Sequence, residues 1–115
     1  MSERRHATGE RELEERLAAV VAALVPGEVV SYGDVADDAG LPGRARAVGH
    51  LLAADAADLS WWRVVTSAGR LVPGHEADQA GRLRAEGAVV RDGKVRSAPL
   101  GRFSRPSAPD RSSSP

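Results

Sequence analysis

At 115 residues the chain is expected to form one small domain with short tails rather than a multi-domain enzyme, since single domains usually run ~100–150 residues. Hydrophobic residues make up 42% but aromatics only 3%, which points to a modest aliphatic core. No apolar run reaches the ~18–20 residues of a membrane span, and residues 1–9 lack the apolar stretch of a signal peptide, so no membrane contact is expected and the expected compartment is the cytoplasm. The absence of cysteine excludes disulfides, thiolate chemistry and Cys-ligated zinc within these residues.

Lys plus Arg equal Asp plus Glu, 16 against 16, but the balance hides a division. Residues 1–81 hold 8 basic and 13 acidic side chains, whereas residues 82–115 hold 8 basic and 3 acidic. The basic third reads either as a solubilising tail or as a phosphate-contacting arm.

Residues 1–9 are short and polar and are expected to be a disordered tail. Leu13, Leu17, Val20, Val21 and Leu24 then recur at helical spacing and predict a first helix closed by Pro26-Gly27. Val29-Val30 is a short extended link, and Ser31 with Asp34 is a weak capping box, which predicts a second helix from near Tyr32 to Gly40. Leu41-Pro42-Gly43 makes a turn, and residues 44–54 read as a third helix with Val48, Leu51 and Leu52 on one face and Arg46 and His50 on another. Two helices across a tight turn form a helix-turn-helix pattern, found in plain helical packing as well as in DNA readers.

Residues 61–72 are expected to be extended, with 63–65 and 70–72 pairing across the four-residue loop 66–69 as a hairpin. A helix follows over residues 76–86, stopped by Gly87, and Asp92-Gly93 signals a second tight hairpin within residues 89–95. Residues 97–115, rich in Ser, Pro and Arg, are expected to be a disordered tail. The fold class is therefore α+β, mainly α, a winged helix-turn-helix domain over residues 10–96 with a short hairpin wing.

The chemistry on offer is sparse. His6, His50 and His75 share no metal-ligand spacing, no Ser-His-Asp grouping is suggested and no Gly-rich phosphate loop occurs. No metal and no cofactor are expected. Asp37-Asp38 is most simply a solvated helix face. The unusual feature is Trp61-Trp62, the only two tryptophans. In a strand they face opposite sides, so one fills the core and the other either covers surface or stacks on a flat ligand such as a base.

The run Gly27-Glu28-Val29-Val30-Ser31-Tyr32-Gly33-Asp34-Val35-Ala36, followed by Ala45-Arg46-Ala47-Val48-Gly49, Trp61-Trp62-Arg63-Val64-Val65 and Arg84-Ala85-Glu86-Gly87, resembles the O(6)-alkylguanine-DNA alkyltransferase family, and more closely its alkyltransferase-like members. The likeness covers residues 13–95. In the alkyltransferases the signature Pro-Cys-His-Arg-Val supplies the nucleophilic Cys and an activating His. Here Ser60-Trp61-Trp62-Arg63-Val64 puts Trp61 at the nucleophile position, Trp62 at the His position and Ser60 at the Pro position. An indole is neither an accessible nucleophile nor a base, so the resemblance implies a protein that is not an enzyme.

It also implies that the third helix enters the minor groove. Arg46 matches the arginine that fills the gap left by a rotated nucleotide, a role suited to a planar cation. Tyr32 matches the tyrosine that turns the target phosphate, Ala47 and Gly49 let the helix backbone approach, and Arg44 contacts phosphate. The implied lesion pocket comprises Tyr32, Ser60, Trp61, Trp62, Val64 and Gly74, with Arg63 and Glu86 as structural residues. The loop 72–75 is expected to close over the pocket without an evident cation to stack on the base.

The implied function is a non-catalytic sensor that binds O(6)-alkylguanine in double-stranded DNA, flips the damaged nucleotide into a Trp-lined pocket and marks it for nucleotide excision repair proteins, acting as a monomer in the cytoplasm at the nucleoid. The competing readings are a winged-helix transcriptional regulator of undamaged DNA and a decayed relative that binds proteins through Trp61-Trp62.

Overall fold

The computed structural model describes residues 2–55 and 59–104. Helix α1, Ser2–Ala22, buries Leu17 and Val21 completely, as its apolar stripe requires, and Leu24, just past its end, is buried nearly so. It starts earlier than the stripe: the helix takes in residues 2–9, expected to be a tail, where Glu3, Arg4, Arg5 and Ala7 are strong helix formers. No helix among the described residues is long and apolar enough to cross a membrane.

Strand β1, Glu28–Ser31, is the centre of the molecule. It pairs in parallel with β2, Val64–Val65, through Val30↔Val64 and Ser31↔Val65, and on its other edge with β5, Leu100–Gly101, through Glu28↔Leu100 and Val29↔Gly101. Alternation along a strand sends successive side chains to opposite faces, so this small sheet divides the core in two. Val30 and Val64 join α1, α2 and α3 in one apolar cluster. Val29 and Val65 face the other, built on Leu71, Ala80, Leu83, Val90 and Val95.

Helix α2, Tyr32–Asp38, begins at a complete capping box: the Asp34 N–H donates to Ser31 Oγ at 3.0 Å and the Ser31 N–H to Asp34 Oδ2 at 3.0 Å. It ends with Gly40 at φ 77°. That left-handed glycine lets the Leu41 N–H reach the Ala36 carbonyl at 2.8 Å and its own N–H reach Asp37 at 3.0 Å, which satisfies the final carbonyls and turns the chain sharply. Helix α3, Ala45–Asp55, follows and packs on α2 and α1 through Val48, Leu51 and Leu52. The helix-turn-helix expected from sequence is formed.

The wing is not where it was expected. Residues 61–63 form a 3-10 turn, Trp61–Arg63, and residues 64–65 pair with β1 rather than with residues 70–72. The loop closes as a turn, with the Gly69 N–H on Thr66 O at 2.8 Å and the Arg70 N–H on Thr66 Oγ1 at 2.9 Å, after which Arg70 bridges to Lys94 instead. A free edge of the buried strand β1 is a better partner for two apolar valines than a local, half-exposed hairpin.

The antiparallel hairpin of the fold is β3, Val89–Arg91, with β4, Lys94–Ser97. Its turn has Asp92 at φ 56° and Gly93 at φ 72°, the two positive values of a type I′ turn. Helix α4, Glu76–Ala85, packs beneath this hairpin. The C-terminal boundary also moves. Residues 97–104, expected to be part of a disordered tail, carry the end of β4, the buried Ala98 and β5, and Arg102 Nε binds Asp34 Oδ2 at 2.9 Å. Ala98 is buried in the second cluster and Phe103 packs against it, and backbone pairing to β1 and the ion pair add to the order of this segment. Residues 105–115 of the expected tail lie outside the described residues.

Candidate functional site

The turn Trp61–Arg63 sits between the two clusters, and its geometry settles which tryptophan goes where. A 3-10 helix rotates successive side chains by about 120°, and the two indole planes stand at 88° with centroids 6.4 Å apart. Trp61 packs toward the helix-turn-helix side. Trp62 packs on the other cluster, and its Nε1 donates to Glu86 Oε2 at 3.0 Å.

Arg63 is buried and anchors this arrangement. Its Nε and Nη2 donate to the Glu86 carboxylate at 3.0 and 2.7 Å, and its Nη1 donates to the Leu24 carbonyl at 3.0 Å and to Ser60 Oγ at 3.1 Å. Glu86 stands at the C-cap of α4 and also accepts from the Gly27 N–H at 3.1 Å. Arg63, burial, Gly27 and Trp62 all act on its carboxyl, and the hydrogen bonding from Arg63 dominates, holding it below the usual carboxylate range. One carboxylate thus ties the 3-10 turn, the turn before β1 and the end of α4 together. The fully buried Gln79 does similar work alongside: its Nε2 donates to the carbonyls of Trp62 and Val64 at 3.1 and 3.2 Å, and its Oε1 accepts from the Val72 N–H at 2.7 Å.

Trp61 forms one wall of a cavity of about 460 Å³ completed by Tyr32, Gly49, Leu52, Ala53, Val72, His75 and Asp78. That volume suits a base-sized ligand, within the ~300–1,000 Å³ of small-molecule sites, and the lining is mostly apolar. Burial pushes the Tyr32 phenol up from its ordinary value, so the hydroxyl stays protonated and able to donate. Trp61 and His75 meet edge to face at 5.8 Å. The cavity shares Tyr32, Gly49 and Ala53 with an open groove over α3 that also includes Ala45, Arg46 and His50. Arg44 and Ala47 line a further shallow hollow with Gly43, Ala45, Arg46 and His50. Arg46 and His50, one turn apart, both project to solvent here.

Of the residues expected from sequence, Tyr32 and Trp61 line the cavity, Gly49 lies where groove and cavity meet, and Arg44, Arg46 and Ala47 share the exposed face of α3. Four expected pocket residues are placed elsewhere. Ser60 faces Arg63, and Trp62 faces Glu86. Val64 is fully buried in β2, where pairing with β1 turns it into the core. The Gly74 N–H donates to Glu76 Oε1 at 3.0 Å in the exposed loop.

Sequence reasoning missed Leu52, Ala53 and Asp78 as lining residues, because nothing in their spacing marks a cavity assembled from α3 and α4, whereas Val72 and His75 belong to the loop expected to close over the pocket. It also missed a cation. Arg82, on α4, places its guanidinium 4.9 Å from the Trp62 ring centroid and 6.0 Å from that of Trp61, while Arg63 lies 4.9 Å from Trp62. Trp62 therefore has two guanidiniums within cation–π distance, which favours it electrostatically. Among the described residues no group of three or more His, Asp or Glu side chains converges as a metal site.

Comparison with known proteins adds an independent line. Residues 12–88 match the family described as 6-O-methylguanine DNA methyltransferase, DNA binding domain. Over 85 residues, 70% of this chain and 85% of the relative, the sequence is 38% identical to a DNA base-flipping protein of Vibrio parahaemolyticus serotype O3:K6. Among solved structures, S. pombe Atl1 in complex with damaged DNA containing O6-carboxymethylguanine superposes with TM-score 0.66 at 26% identity, covering 74% of this chain and 87% of that one. Mycobacterium tuberculosis OGT in complex with DNA gives 0.58 at 31% identity, covering 64% of this chain and 48% of the other.

Proposed function

The chain belongs to the family of the 6-O-methylguanine DNA methyltransferase DNA-binding domain, and from that premise we propose that it is a non-catalytic sensor of O(6)-alkylguanine in duplex DNA. The observation that carries this reading is the continuity between the Arg46 groove over α3 and the Trp61-walled cavity, combined with the lack of any thiol in the 115 residues. The exposed face of α3, with Arg44 and Arg46 at its start and the small Ala47 and Gly49 behind them, suits close approach to the minor groove. Arg46 fills the space of the displaced nucleotide, and the base moves past Tyr32 into the cavity.

Flipping costs a few kcal/mol, and a protein without chemistry recovers it through contacts alone. Trp61 supplies ~1–3 kcal/mol against a base, with Tyr32 and His75 completing the enclosure. Holding the lesion flipped marks the site for nucleotide excision repair. Neither Trp61 nor Trp62 can accept an alkyl group, and Glu86, which is engaged by Arg63, Trp62 and Gly27, has a structural task.

The test is a fluorescence titration, read from the intrinsic tryptophan emission, of two duplexes identical except for guanine or O(6)-methylguanine at one position. The modified duplex is expected to bind about tenfold or more tightly, a difference of about 1.4 kcal/mol, and intact mass after incubation should show no added alkyl group. Equal affinity for the two duplexes would refute the reading.

A further inference from the structure

The wall of the cavity that faces away from α3 carries charge that the family motifs do not assign. Asp78 lines it with a side chain 55% exposed, and Arg82 Nε donates to Asp78 Oδ1 at 2.9 Å. Glu76 stands two residues before it in the chain, its carboxylate accepting from the Gly74 N–H. Asp78 is the one carboxylate among the lining residues, and Arg82 engages a single oxygen of it.

We propose that Asp78 is a specificity-determining residue of the cavity, selecting O(6) adducts that end in a hydrogen-bond donor, such as hydroxyalkyl or aminoalkyl groups, over carboxyalkyl adducts of the same length. The assignment rests on the sensor reading above and deepens it. A base entering from the α3 groove keeps its sugar on that side, past Tyr32, Gly49 and Ala53. O(6) lies on the purine edge remote from the glycosidic nitrogen, so its substituent extends toward Val72, His75 and Asp78. An ionised carboxylate only accepts hydrogen bonds. Arg82 engages Oδ1, which leaves Oδ2 to receive a donor. A carboxylate on the adduct meets like charge at the same place, softened by Arg82 and by solvent.

The experiment measures binding of the full chain to four duplexes that differ at one base: guanine, O(6)-methyl-, O(6)-(2-hydroxyethyl)- and O(6)-carboxymethylguanine. The hydroxyethyl duplex is expected to bind about fivefold more tightly than the carboxymethyl one, a modest charge-assisted effect at a half-exposed group. Asp78→Asn should close that gap to within about twofold, since an amide both donates and accepts. Arg82→Gln should widen it by removing the offsetting cation. Because each comparison is a ratio on one protein preparation, a loss of folded fraction cancels. Equal affinities in the unmodified protein, a gap that survives Asp78→Asn, or a gap that Arg82→Gln fails to widen overturns the assignment. If methylguanine is still preferred over guanine, the sensor reading stands while this inference falls. If no adduct is preferred over guanine, both fall.

Discussion

Replacing Glu86 with alanine removes the one acceptor shared by Arg63, Trp62 and the Gly27 backbone. The Arg63 side chain is only 9% exposed and that of Glu86 16%, so the substitution leaves a guanidinium largely buried with its Nε and Nη2 unpaired. Breaking a buried ion pair by removing one partner costs ~3–5 kcal/mol, and the residual exposure of Glu86, which lets water approach, places the expected loss near ~3 kcal/mol. For a domain of this size that corresponds to a fall in Tm of more than ~10 °C. Urea denaturation followed by circular dichroism at pH 7 measures it. The double change Arg63→Met with Glu86→Leu, which replaces the pair by apolar side chains, should be less damaging than Glu86→Ala alone.

Acid provides a second check. The Glu86 carboxyl is held below its ordinary value, chiefly by Arg63. Its contribution is therefore fully present above the unfolded-state value of ~4.3 and is lost as pH falls through the lower folded-state value. The stability difference between wild type and Glu86→Ala should shrink across that acidic window. A loss at pH 7 below ~1 kcal/mol, or a difference indifferent to acidification, refutes the account.

Gln79→Leu nearly conserves volume but leaves the Trp62 and Val64 carbonyls and the Val72 N–H without their side-chain partners; a loss of ~2–4 kcal/mol by urea denaturation is expected, and a neutral effect would contradict the role given to that amide. Ending the chain at Arg96 deletes β5, the buried Ala98 and the Arg102–Asp34 pair. It should lower Tm measurably, whereas an unchanged Tm would mean that β5 adds nothing to the sheet. In DNA titrations Arg46→Ala should weaken binding to alkylated duplex about tenfold or more, while Trp61→Ala should chiefly erode the preference for the lesion by an amount set by the ~1–3 kcal/mol of base stacking. Unchanged binding in both variants would favour a protein-binding role instead.

Much of the helical framework is legible in local sequence. The stripe from Leu13 to Leu24 marks α1, Ser31 with Asp34 marks the start of α2, Gly40 marks its end, and Asp92-Gly93 marks the β3–β4 turn, because caps and tight turns are satisfied by neighbours in the chain. The site was legible only where a motif carried it, as for Tyr32, Arg46, Gly49 and Trp61. Leu52, Ala53 and Asp78 carry no such mark. A cavity lined from α2, α3, the 3-10 turn, the loop 72–75 and α4 has no signature at any one spacing, and the cation beside the tryptophans, Arg82, lies 20 positions beyond Trp62.

The amino-acid sequence by itself determined that these residues hold no thiol and that helices with apolar faces flank a Gly-rich turn, and its resemblance to the family set Trp61 and Trp62 against the positions of a Cys and a His. Tertiary structure alone decided which indole meets the cavity. The 3-10 turn separates the two rings, Glu86 draws Trp62 inward with Arg63, and Trp61 is left as the wall. It also decided the sheet. Strand β1 takes both its partners, β2 and β5, in parallel from distant parts of the chain, a choice driven by burial on both faces of β1 rather than by any local turn.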